Sequence, residues 1–264
     1  MKVLVKIGGT LLDEQESRRR LAAEIAAVVR AGVRIVVVHG GGKQMTRFLA
    51  ERGIESRFVN GLRVTTSEVL DAVLKVLAGS VNQELVSALV AEAANAVGLT
   101  GMDALLTEAE QTSQELGFVG HPVASDAALL ELLVSNGYLP VVACVAGDRQ
   151  GNFYNVNADQ MAVACAKSFQ VSKLIFLTDV EGVRGRSGEI ASKLTSGECR
   201  ALIDEQIATG GMRAKLEAAM NGLEQGVGEV VIAPGAQPGI VRRLISGGAA
   251  GTRLIAEMQL SGNV

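Results

Sequence analysis

Two short β-branched runs near the start of the chain each end in glycines and are followed by a helical pattern. Val3–Lys6 leads into Gly8–Gly9, and Ile35–Val38 leads into Gly40–Gly42. Such alternation predicts a parallel sheet covered by helices on both faces. Ligands of these sheets bind at the carboxyl ends of strands, where glycine lets the backbone approach an anion and the next helix offers free N–H groups. Both turns are candidate anion-binding sites, although either could be only a tight turn between a strand and a helix.

The composition is that of a folded protein without an evident surface for nucleic acid. The chain has 264 residues, of which 48% are hydrophobic and 20% charged, and it can form one large α/β domain or two fused lobes. The net charge is −3 with both signs scattered, and two Tyr, six Phe and no Trp leave little for base stacking. No apolar run has the length of a membrane helix. We therefore expect no nucleic-acid partner and no membrane association.

The cysteines and histidines form no metal-binding or disulfide pattern. Cys144, Cys165 and Cys199 include no C-x-x-C pair and are predicted to lie in the core. His39 is predicted to bond to the backbone at a strand end. Unpaired cysteines are typical of a reducing compartment, and the first strand follows Met1 so closely that we expect no signal peptide. These features predict a cytoplasmic protein with no metal site of its own.

One long helix is predicted in the first half of the chain. Thr65 and Glu68 form a capping-box pattern, and an apolar stripe at helical spacing continues from there almost to Ala94. Residues 103–122 have a poorer pattern. We predict that they form hairpins or loops.

The run Lys173–Leu177 is predicted to be the strand that starts a second half of the molecule. No flexible or low-complexity linker precedes it. We therefore predict an N-terminal lobe over residues 1–170 and a C-terminal lobe over residues 171–264, joined within one continuous sheet.

Neither glycine turn matches a known nucleotide-binding motif. Lys43 follows Gly42 but precedes Gln44 rather than Ser or Thr, so the Walker A pattern fails. The Gly8–Gly9 turn lacks the G-x-G-x-x-G spacing of dinucleotide-binding folds. A P-loop NTPase and a nicotinamide-dependent oxidoreductase are both disfavoured.

Polar residues accompany the glycine turns. Lys6 ends the first strand, where a buried ammonium requires a partner, although strand alternation could also turn it to solvent. The run Asn155–Asp159 has more amides and carboxylates than one helix cap requires, although Asn157 or Asp159 could be only that cap. Lys215 lies early in a helix, where a cation opposes the helix dipole, and a surface lysine is the alternative. Two lysines beside glycine turns together favour a bound anion.

Nine short motifs lie in one order from the first strand to about residue 255. They are Lys6–Gly9, His39–Gly42, Asn60–Thr65, Leu116–Gly120, Gly137–Val142, Asn155–Asp159, Leu177–Val183, Gly210–Met212 and Gly251–Thr252. Each motif alone is weak, but the ordered set is specific. It resembles the acetylglutamate kinases, which belong to the amino-acid kinase superfamily.

This resemblance implies a fold and a reaction. The fold would be a three-layer αβα sandwich with a mainly parallel central sheet. The reaction would be ATP-dependent phosphorylation of the side-chain carboxylate of N-acetyl-L-glutamate to N-acetyl-L-glutamyl 5-phosphate, the second step of arginine biosynthesis. The ligands would be N-acetyl-L-glutamate in the N-terminal lobe and ATP in the C-terminal lobe, with Mg²⁺ held mainly by ATP. Phosphoryl transfer needs alignment and charge neutralisation, and an ionised carboxylate needs no general base.

The resemblance also assigns residues to the transferring phosphoryl group. Lys6 and Lys215 would stabilise its charge, and Asp159 would orient both lysines. Backbone N–H groups would bind the phosphoryl and carboxylate oxygens from Gly8, Gly9 and Gly41.

Two further sets of residues are implied for the two substrates. Arg63 would clamp the α-carboxylate, because its fork can bind both oxygens. The residues that would bind the acetylated amino acid are Gly41, Gly42, Arg63 and Asn155. The residues that would line the ATP site are Thr178, Asp179, Val180, Glu181, Gly182, Val183, Ile207, Ala208, Thr209 and Met212.

The chain departs from the family pattern in a few places. Thr66 stands where the family often has Asp, and Asp103-Ala104 stands where Asp-Gly is usual. The arginine-inhibited hexamers of the family carry an extra N-terminal helix, which has no counterpart before the first strand here. The expected assembly is therefore an arginine-insensitive homodimer that pairs through the long helix of residues 65–94.

Other interpretations remain. A sister kinase acting on a carrier-linked aminoadipate or glutamate would differ only around Arg63 and Asn155, but the net charge of −3 indicates no basic strip for a carrier. Aspartate kinase is disfavoured because no regulatory domain is recognised. A silent sensor of an amino acid or nucleotide is disfavoured because both Lys6 and Lys215 are present.

Overall fold

The computed structural model describes residues 1–256. Its strands are β1 (Lys2–Ile7), β2 (Arg34–His39), β3 (Phe58–Val59), β4 (Leu62–Arg63), β5 (Ala96–Thr100), β6 (Thr107–Gln111), β7 (Val119–Ser125), β8 (Leu139–Ala143), β9 (Val145–Gly147), β10 (Phe153–Val156), β11 (Lys173–Thr178), β12 (Lys193–Thr195), β13 (Val230–Pro234) and β14 (Thr252–Ile255). Its α-helices are α1 (Gly9–Asp13), α2 (Gln15–Arg30), α3 (Gly42–Ala50), α4 (Ser67–Val73), α5 (Asn82–Ala91), α6 (Ala128–Ser135), α7 (Ala158–Ser168), α8 (Ser196–Asp204), α9 (Gly210–Glu224) and α10 (Ile240–Ile245).

A mainly parallel sheet forms the centre of the molecule. Within residues 1–256 its eight strands follow the order β12-β14-β13-β11-β1-β2-β8-β5. Every neighbouring pair is parallel except β13 and β14. Strands β1, β2 and β11 are buried along almost their whole length, as strands covered by helices on both faces should be. The predicted αβα sandwich with a mainly parallel sheet is confirmed.

Helices cover both faces of this sheet. Helix α2 buries the apolar stripe that includes Leu21, Ile25 and Val28, and it packs against α5 and α10. On the other side, α7 packs against β1, β2 and β11, and α9 packs against α7. Gly32 follows the C-terminal end of α2 and has a φ of 86°, which glycine adopts without steric cost.

A small closed barrel of β6, β7, β9 and β10 stands beside the central sheet. It includes much of the segment 103–122 that the sequence indicated only as hairpins or loops. Strand β6 reads Thr-Glu-Ala-Glu-Gln, which is too polar to predict a strand with confidence, and its register shifts between Glu108 and Ala109. The barrel matters for the site because β10 leads directly into α7.

The N-cap of the long helix lies one residue later than predicted. Thr66, not Thr65, is the N-cap, and its hydroxyl accepts a hydrogen bond from the backbone N–H of Val69 at 3.3 Å. The predicted capping box of Thr65 and Glu68 was therefore wrong, because the Thr65 side chain is drawn away by other partners. The helix is not uniformly α-helical: the eight residues Leu74–Val81 form a π-helical segment between α4 and α5.

This long helix also corrects an expectation about membranes. The segment Ser67–Ala91 spans 25 residues with a mean hydropathy of 1.3 in its most apolar window, of which 39% is buried. By length and composition it passes the test for a membrane-spanning helix, so the statement that no apolar run has that length was wrong. The half-buried apolar residues raise the hydropathy in addition to the buried ones, and they are Leu70, Leu74, Ala78, Val86 and Ala88. One such helix is weak evidence, because the core helix of a soluble protein passes the same test.

The central sheet continues across the predicted lobe boundary. Residue 170 falls between α7 and β11, and β11 pairs with β1 in parallel from Val3↔Lys173 to Ile7↔Leu177. The two halves of the chain therefore share their central strands. The division into residues 1–170 and 171–264 stays a prediction, and residues 257–264 lie outside the described part.

Candidate active site

Three strands end side by side at the centre of the sheet. Strand β1 lies between β11 and β2, so that the Gly8–Gly9 turn stands between Thr178 and the Gly40–Gly42 turn. The polar and glycine-rich segments predicted from the sequence therefore meet at one edge. This is the edge at which parallel α/β sheets bind their ligands.

Lys6, Asp159 and Lys215 form a buried charged cluster at this edge. Lys6 Nζ lies 2.7 Å from Asp159 Oδ1, and Lys215 Nζ lies 3.2 Å from Asp159 Oδ2. Lys6 and Asp159 are 5% and 4% exposed. Burial by itself would raise the pKa of Asp159, but the ammonium groups of Lys6 and Lys215 outweigh burial and hold this pKa below its ordinary value. Two cations and one carboxylate leave the cluster with a net positive charge.

Each member of this cluster comes from a different element. Lys6 is near the end of β1, and its side chain faces α7, which packs across that strand. Asp159 lies in the first turn of α7, where Asn157 Oδ1 caps the helix by accepting from the N–H groups of Asp159 and Gln160. Lys215 lies in the second turn of α9. These contacts decide between alternatives that the sequence left open. Lys6 is not turned to solvent, and Asn157 rather than Asp159 is the cap of α7.

The two glycine turns approach each other closely. A Cβ atom on Gly9 would lie 2.9 Å from Gly42 N and 3.0 Å from Gly41 N, so only glycine fits there without a shift of the backbone. Among the described residues, the backbone N–H groups of Gly9, Gly41 and Gly42 have no hydrogen-bond acceptor. The N–H of Gly8 is different, because it donates to Leu177 O at 2.9 Å. The expected role of Gly8 as a donor to a phosphoryl oxygen is therefore not available in this structure.

Arg63 and Asn155 are joined to the second glycine turn through hydrogen bonds. Arg63 Nη2 donates to Gly42 O at 3.2 Å and to Thr46 Oγ1 at 2.8 Å. Asn155 Nδ2 donates to Thr65 Oγ1 at 3.1 Å, and the Thr65 hydroxyl donates to Arg63 O at 2.9 Å. Of the residues predicted for the acetylated amino acid, Gly42, Arg63 and Asn155 thus belong to one connected group, with Gly41 adjoining Gly42.

The residues predicted to line the ATP site differ in exposure. Asp179, Val180 and Glu181 are exposed in the loop after β11, beside the Thr178 hydroxyl that bonds to Asp179. Ile207 and Thr209 are exposed before α9, and Met212 is half-buried. By contrast, the buried ones are Thr178, Gly182, Val183 and Ala208.

Two buried members of this set, Gly182 and Val183, are held in place by contacts with Thr252. Gly182 has a φ of 153°, and a Cβ there would lie 2.8 Å from Ile190 and from Thr252 Oγ1. The N–H of Val183 donates to the same Thr252 hydroxyl at 2.8 Å. The side chain of Val183 thus lies in the core, and its predicted place in the lining of the ATP site stays a prediction.

Some residues of the site were missed by sequence reasoning. Thr65 is fully buried and connects Arg63 with Asn155, a role that its position in the Asn60–Thr65 motif could have suggested. Asn82 is 1% exposed and contacts His39, and no local pattern marks it. The sequence does place His39 correctly at a strand end, where its Nδ1 lies 3.0 Å from Gly40 O.

The groups brought together can stabilise negative charge but offer no activated nucleophile. The charges of Lys6 and Asp159 act on the thiol of Cys144. Burial raises the pKa of this thiol to about 11 despite the opposing charge of Lys6. Burial also lowers the pKa of His39 to about 4, so this histidine is neutral. Buried ammonium groups and unbonded N–H groups are suited to an anion that moves between two oxygens.

Known proteins are similar to this chain in sequence and in fold. The model of the amino acid kinase family matches residues 1–234. The chain is 60% identical over 255 residues to acetylglutamate kinase of Solibacter usitatus, covering 97% of this chain and 99% of the relative. It is 40% identical over 268 residues to acetylglutamate kinase of Bartonella henselae, covering 96% and 89%.

A solved structure extends the likeness to a protein of a different activity. The structure of N-acetylglutamate synthase from Neisseria gonorrhoeae, complexed with coenzyme A and N-acetyl-glutamate, superposes with a TM-score of 0.86 at 26% identity. The match covers 97% of this chain and 59% of that chain. Sequence and fold agree, and the chain belongs to the amino acid kinase family.

Proposed function

We propose that this protein transfers the γ-phosphoryl group of ATP to the side-chain carboxylate of N-acetyl-L-glutamate, forming N-acetyl-L-glutamyl 5-phosphate for arginine biosynthesis. The observation that carries the proposal is the Lys6–Asp159–Lys215 cluster beside two glycine turns with unbonded N–H groups. The relatives that are 60% and 40% identical are acetylglutamate kinases, which supports this choice of acceptor.

In this reaction a carboxylate oxygen attacks the γ-phosphorus while the bond to the oxygen that bridges to the β-phosphate breaks, and ADP leaves. Charge spreads over the equatorial oxygens of the transferring group. Lys6 and Lys215 neutralise that charge, and Asp159 holds both ammonium groups at distances of 2.7 and 3.2 Å. Gly9 and Gly41 donate N–H bonds to the oxygens.

The acceptor lies at the second glycine turn. Arg63 is held there by Gly42 O, Thr46 Oγ1 and Ser56 Oγ, and its remaining N–H donors, on Nε and Nη1, bind the α-carboxylate of the acetylated amino acid. Because Asn155 Nδ2 is committed to Thr65 Oγ1, its Oδ1 is left to accept from the amide N–H of the substrate. A free α-amino group would bring a positive charge to the place of that neutral amide.

ATP lies on the other side of the cluster, along the exposed part of the loop after β11 and the start of α9. The exposed or half-buried residues of this surface are Asp179, Val180, Glu181, Ile207, Thr209 and Met212, and the buried residues beside it are Thr178, Gly182, Val183 and Ala208. Within residues 1–256 no group of three or more His, Cys, Asp or Glu side chains could hold a metal ion. Mg²⁺ would therefore be coordinated mainly by the phosphates of ATP, and it would neutralise charge on them.

Trapping of the acyl phosphate tests the proposal. The protein is incubated with Mg-ATP, hydroxylamine and one acid at a time, and the hydroxamate is measured. We expect product with N-acetyl-L-glutamate and little with glutamate, aspartate or N-acetylaspartate. Lys6→Met serves as the inactive control for contaminating kinases.

Two outcomes would refute the proposal in different ways. Product with another acid, such as a carrier-linked aminoadipate or glutamate, and none with N-acetyl-L-glutamate would make this a sister kinase. No product with any acid, together with binding of N-acetyl-L-glutamate in calorimetry, would make it a sensor.

The assembly and location belong to the same proposal. The protein would act as a cytoplasmic homodimer that pairs along the segment Ser67–Ala91 and the adjoining strand β5. Strand β5 is at the end of the central sheet, and Val90 near the end of α5 is 55% exposed. Its three cysteines are buried as free thiols, which suits a reducing compartment.

Light scattering tests the pairing. The wild type should have the mass of a dimer, and Val90→Asp should shift it towards the monomer because a charge would be buried in the interface. Val123→Asp is the matched control, since Val123 is also an exposed valine but lies in β7. A hexamer, or a Val90→Asp variant that remains dimeric, would contradict the proposed interface.

A further inference from the structure

A hydrogen-bonded relay connects the long helix to the glycine turn of the site. Asn82, the first residue of α5, places its Nδ2 atom 2.9 Å from His39 Nε2 and 3.0 Å from Val141 O. On the other side of the ring, His39 Nδ1 lies 3.0 Å from Gly40 O. Asn82 and His39 are 1% and 0% exposed, so water does not compete for these contacts.

The contacts fix one arrangement of hydrogens. Gly40 O can only accept, so Nδ1 of His39 must carry the proton. Val141 O can only accept as well, so the nearby atom of Asn82 is the amide nitrogen, and its second hydrogen points at Nε2. The neutral ring therefore donates from Nδ1 and accepts at Nε2. Each amide hydrogen of Asn82 has one acceptor.

The same part of the helix also supports the turn through apolar contact. A Cβ atom on Gly41 would lie 2.5 Å from Leu77 Cδ2 and 3.3 Å from Val81 Cγ2. Leu77 and Val81 lie in the π-helical segment directly before Asn82. Hydrogen bonding over five residues brings residues four and five apart onto one face. This places Leu77, Val81 and Asn82 together against Gly40–Gly41.

We propose that Asn82 is a positioning residue for phosphoryl transfer, which acts through the His39 ring to hold the Gly40–Gly42 turn, with Leu77 and Val81 as its apolar floor. This role rests on the proposed function, because that function assigns the N–H group of Gly41 to the reacting oxygens and places Gly42 against the acetylated amino acid. Nothing in the relay touches a substrate. It sets the direction of the donors and prevents the turn from settling into other conformations.

Kinetics of Asn82→Ala test the proposal. Loss of the relay should lower kcat by ~10- to 100-fold, because a small displacement of donors weakens transition-state contacts, while KM for ATP should rise by no more than about tenfold. Leu89→Ala is the matched control: Leu89 is fully buried in the same helix and lies two turns beyond Asn82, so this variant loses stability but should keep kcat below its melting temperature.

A double-variant cycle asks whether Asn82 acts through His39. Asn82→Ala added to a His39→Leu background should lower kcat no further, because the relay is already broken. Equal and additive losses in kcat would overturn the relay. A kcat of Asn82→Ala close to that of Leu89→Ala would overturn the positioning role.

Nitrogen NMR of the wild type provides a measurement that needs no variant enzyme to be active. The His39 signals are those absent from His39→Leu, and they should show a proton on Nδ1 and none on Nε2 at neutral pH. A proton on Nε2 would overturn the relay. This result stands even if Asn82→Ala does not fold.

Nucleotide binding separates this inference from the choice of acceptor. If no hydroxamate forms from N-acetyl-L-glutamate, the proposed function fails. The relay can still be tested, because the γ-phosphate of ATP would reach the turn and ADP lacks this group. Asn82→Ala should then weaken ATP binding about tenfold more than ADP binding in calorimetry. Equal weakening of both nucleotides would overturn the positioning role.

Discussion

Replacing Asp159 with Asn should impair both stability and catalysis, because one carboxylate balances two ammonium groups. Lys6 Nζ and Lys215 Nζ lie 2.7 and 3.2 Å from its two oxygens. The side chain of Lys6 is 7% exposed and that of Lys215 is 20% exposed. Asn is isosteric with Asp but neutral, so the variant keeps the shape of the site and leaves two like charges facing each other.

The expected loss of stability follows from this burial. Removing one partner of a buried ion pair leaves an uncompensated charge, which costs about 3–5 kcal/mol. Lys6 bears most of this cost, since Lys215 can reach water more easily.

Catalysis should fall for the same reason. A displaced Lys6 no longer stabilises the transferring phosphoryl group. Removing one preorganised donor to a developing charge costs about 10²–10³ in kcat, or roughly 3–4 kcal/mol. KM for each substrate should change much less, because the effect arises in the transition state.

Urea unfolding and hydroxamate formation measure the two effects on the same samples. Asp71→Asn is the control, since Asp71 pairs with Lys75 on the surface with both side chains more than 60% exposed. Loss of that exposed pair should cost no more than about 1 kcal/mol and leave kcat unchanged. Kinetics are recorded where circular dichroism shows each variant to be folded.

A second substitution distinguishes this reasoning from general damage. Adding Lys6→Met to Asp159→Asn removes the buried unpaired charge, so the double variant should regain stability while remaining inactive. Non-specific damage would make the double variant less stable than either single one. A folded Asp159→Asn protein with kcat within about threefold of the wild type would refute the role of the cluster.

Three further predictions follow from the same geometry. Gly41→Ala should cost ~1–3 kcal/mol in urea unfolding, because its methyl group would lie 2.5 Å from Leu77, whereas Gly42→Ala has no atom within 4 Å and should unfold like the wild type; equal costs would contradict this. Arg63→Lys should raise KM for the acid ~10- to 100-fold in the hydroxamate assay with a smaller change in kcat, since lysine cannot bind both oxygens, and an unchanged KM would place the acid elsewhere. Burial lowers the pKa of His39 from 6.5 to about 4 on folding. Its contribution to stability is therefore fully present above pH 6.5, and the free energy of unfolding in urea should decline by about 3 kcal/mol towards pH 4. A His39→Leu variant that keeps the whole decline would assign it to other groups.

The sequence predicted the elements whose residues carry their own signal. A run such as Ile35–Val38 is apolar and β-branched at every position, which only a strand buried on both faces requires. Lys6 stood out because a lysine in such a run needs a counter-charge. Glycines after two strands marked the edge of the sheet, and the structure brings Lys6, Asp159 and Lys215 together there.

Other features depend on contacts between distant segments and were not predictable in this way. The barrel strand β6 is polar, and pairing with β7 and β9 makes it a strand. Thr65 had the pattern of a cap, but its hydroxyl bonds to Arg63 O and accepts from Asn155, which is ninety residues away along the chain. Gly8 shares the glycine pattern of Gly9, and only the neighbouring strand end shows that its N–H is already bonded.

The charge of the site explains which of its residues are visible in the sequence. A buried group of two ammoniums and one carboxylate, next to three unbonded N–H groups, is electrostatically incomplete without an anion. Folding energy alone would favour an apolar replacement of similar volume. Residues that carry this unbalanced charge are therefore visible in the sequence. Lys6 is a lysine within a buried strand, and Lys215 is a cation near the N-terminal end of a helix. Residues that hold them in place, such as Asn82, satisfy ordinary rules of burial and hydrogen bonding, and only the folded structure distinguishes them from other core residues.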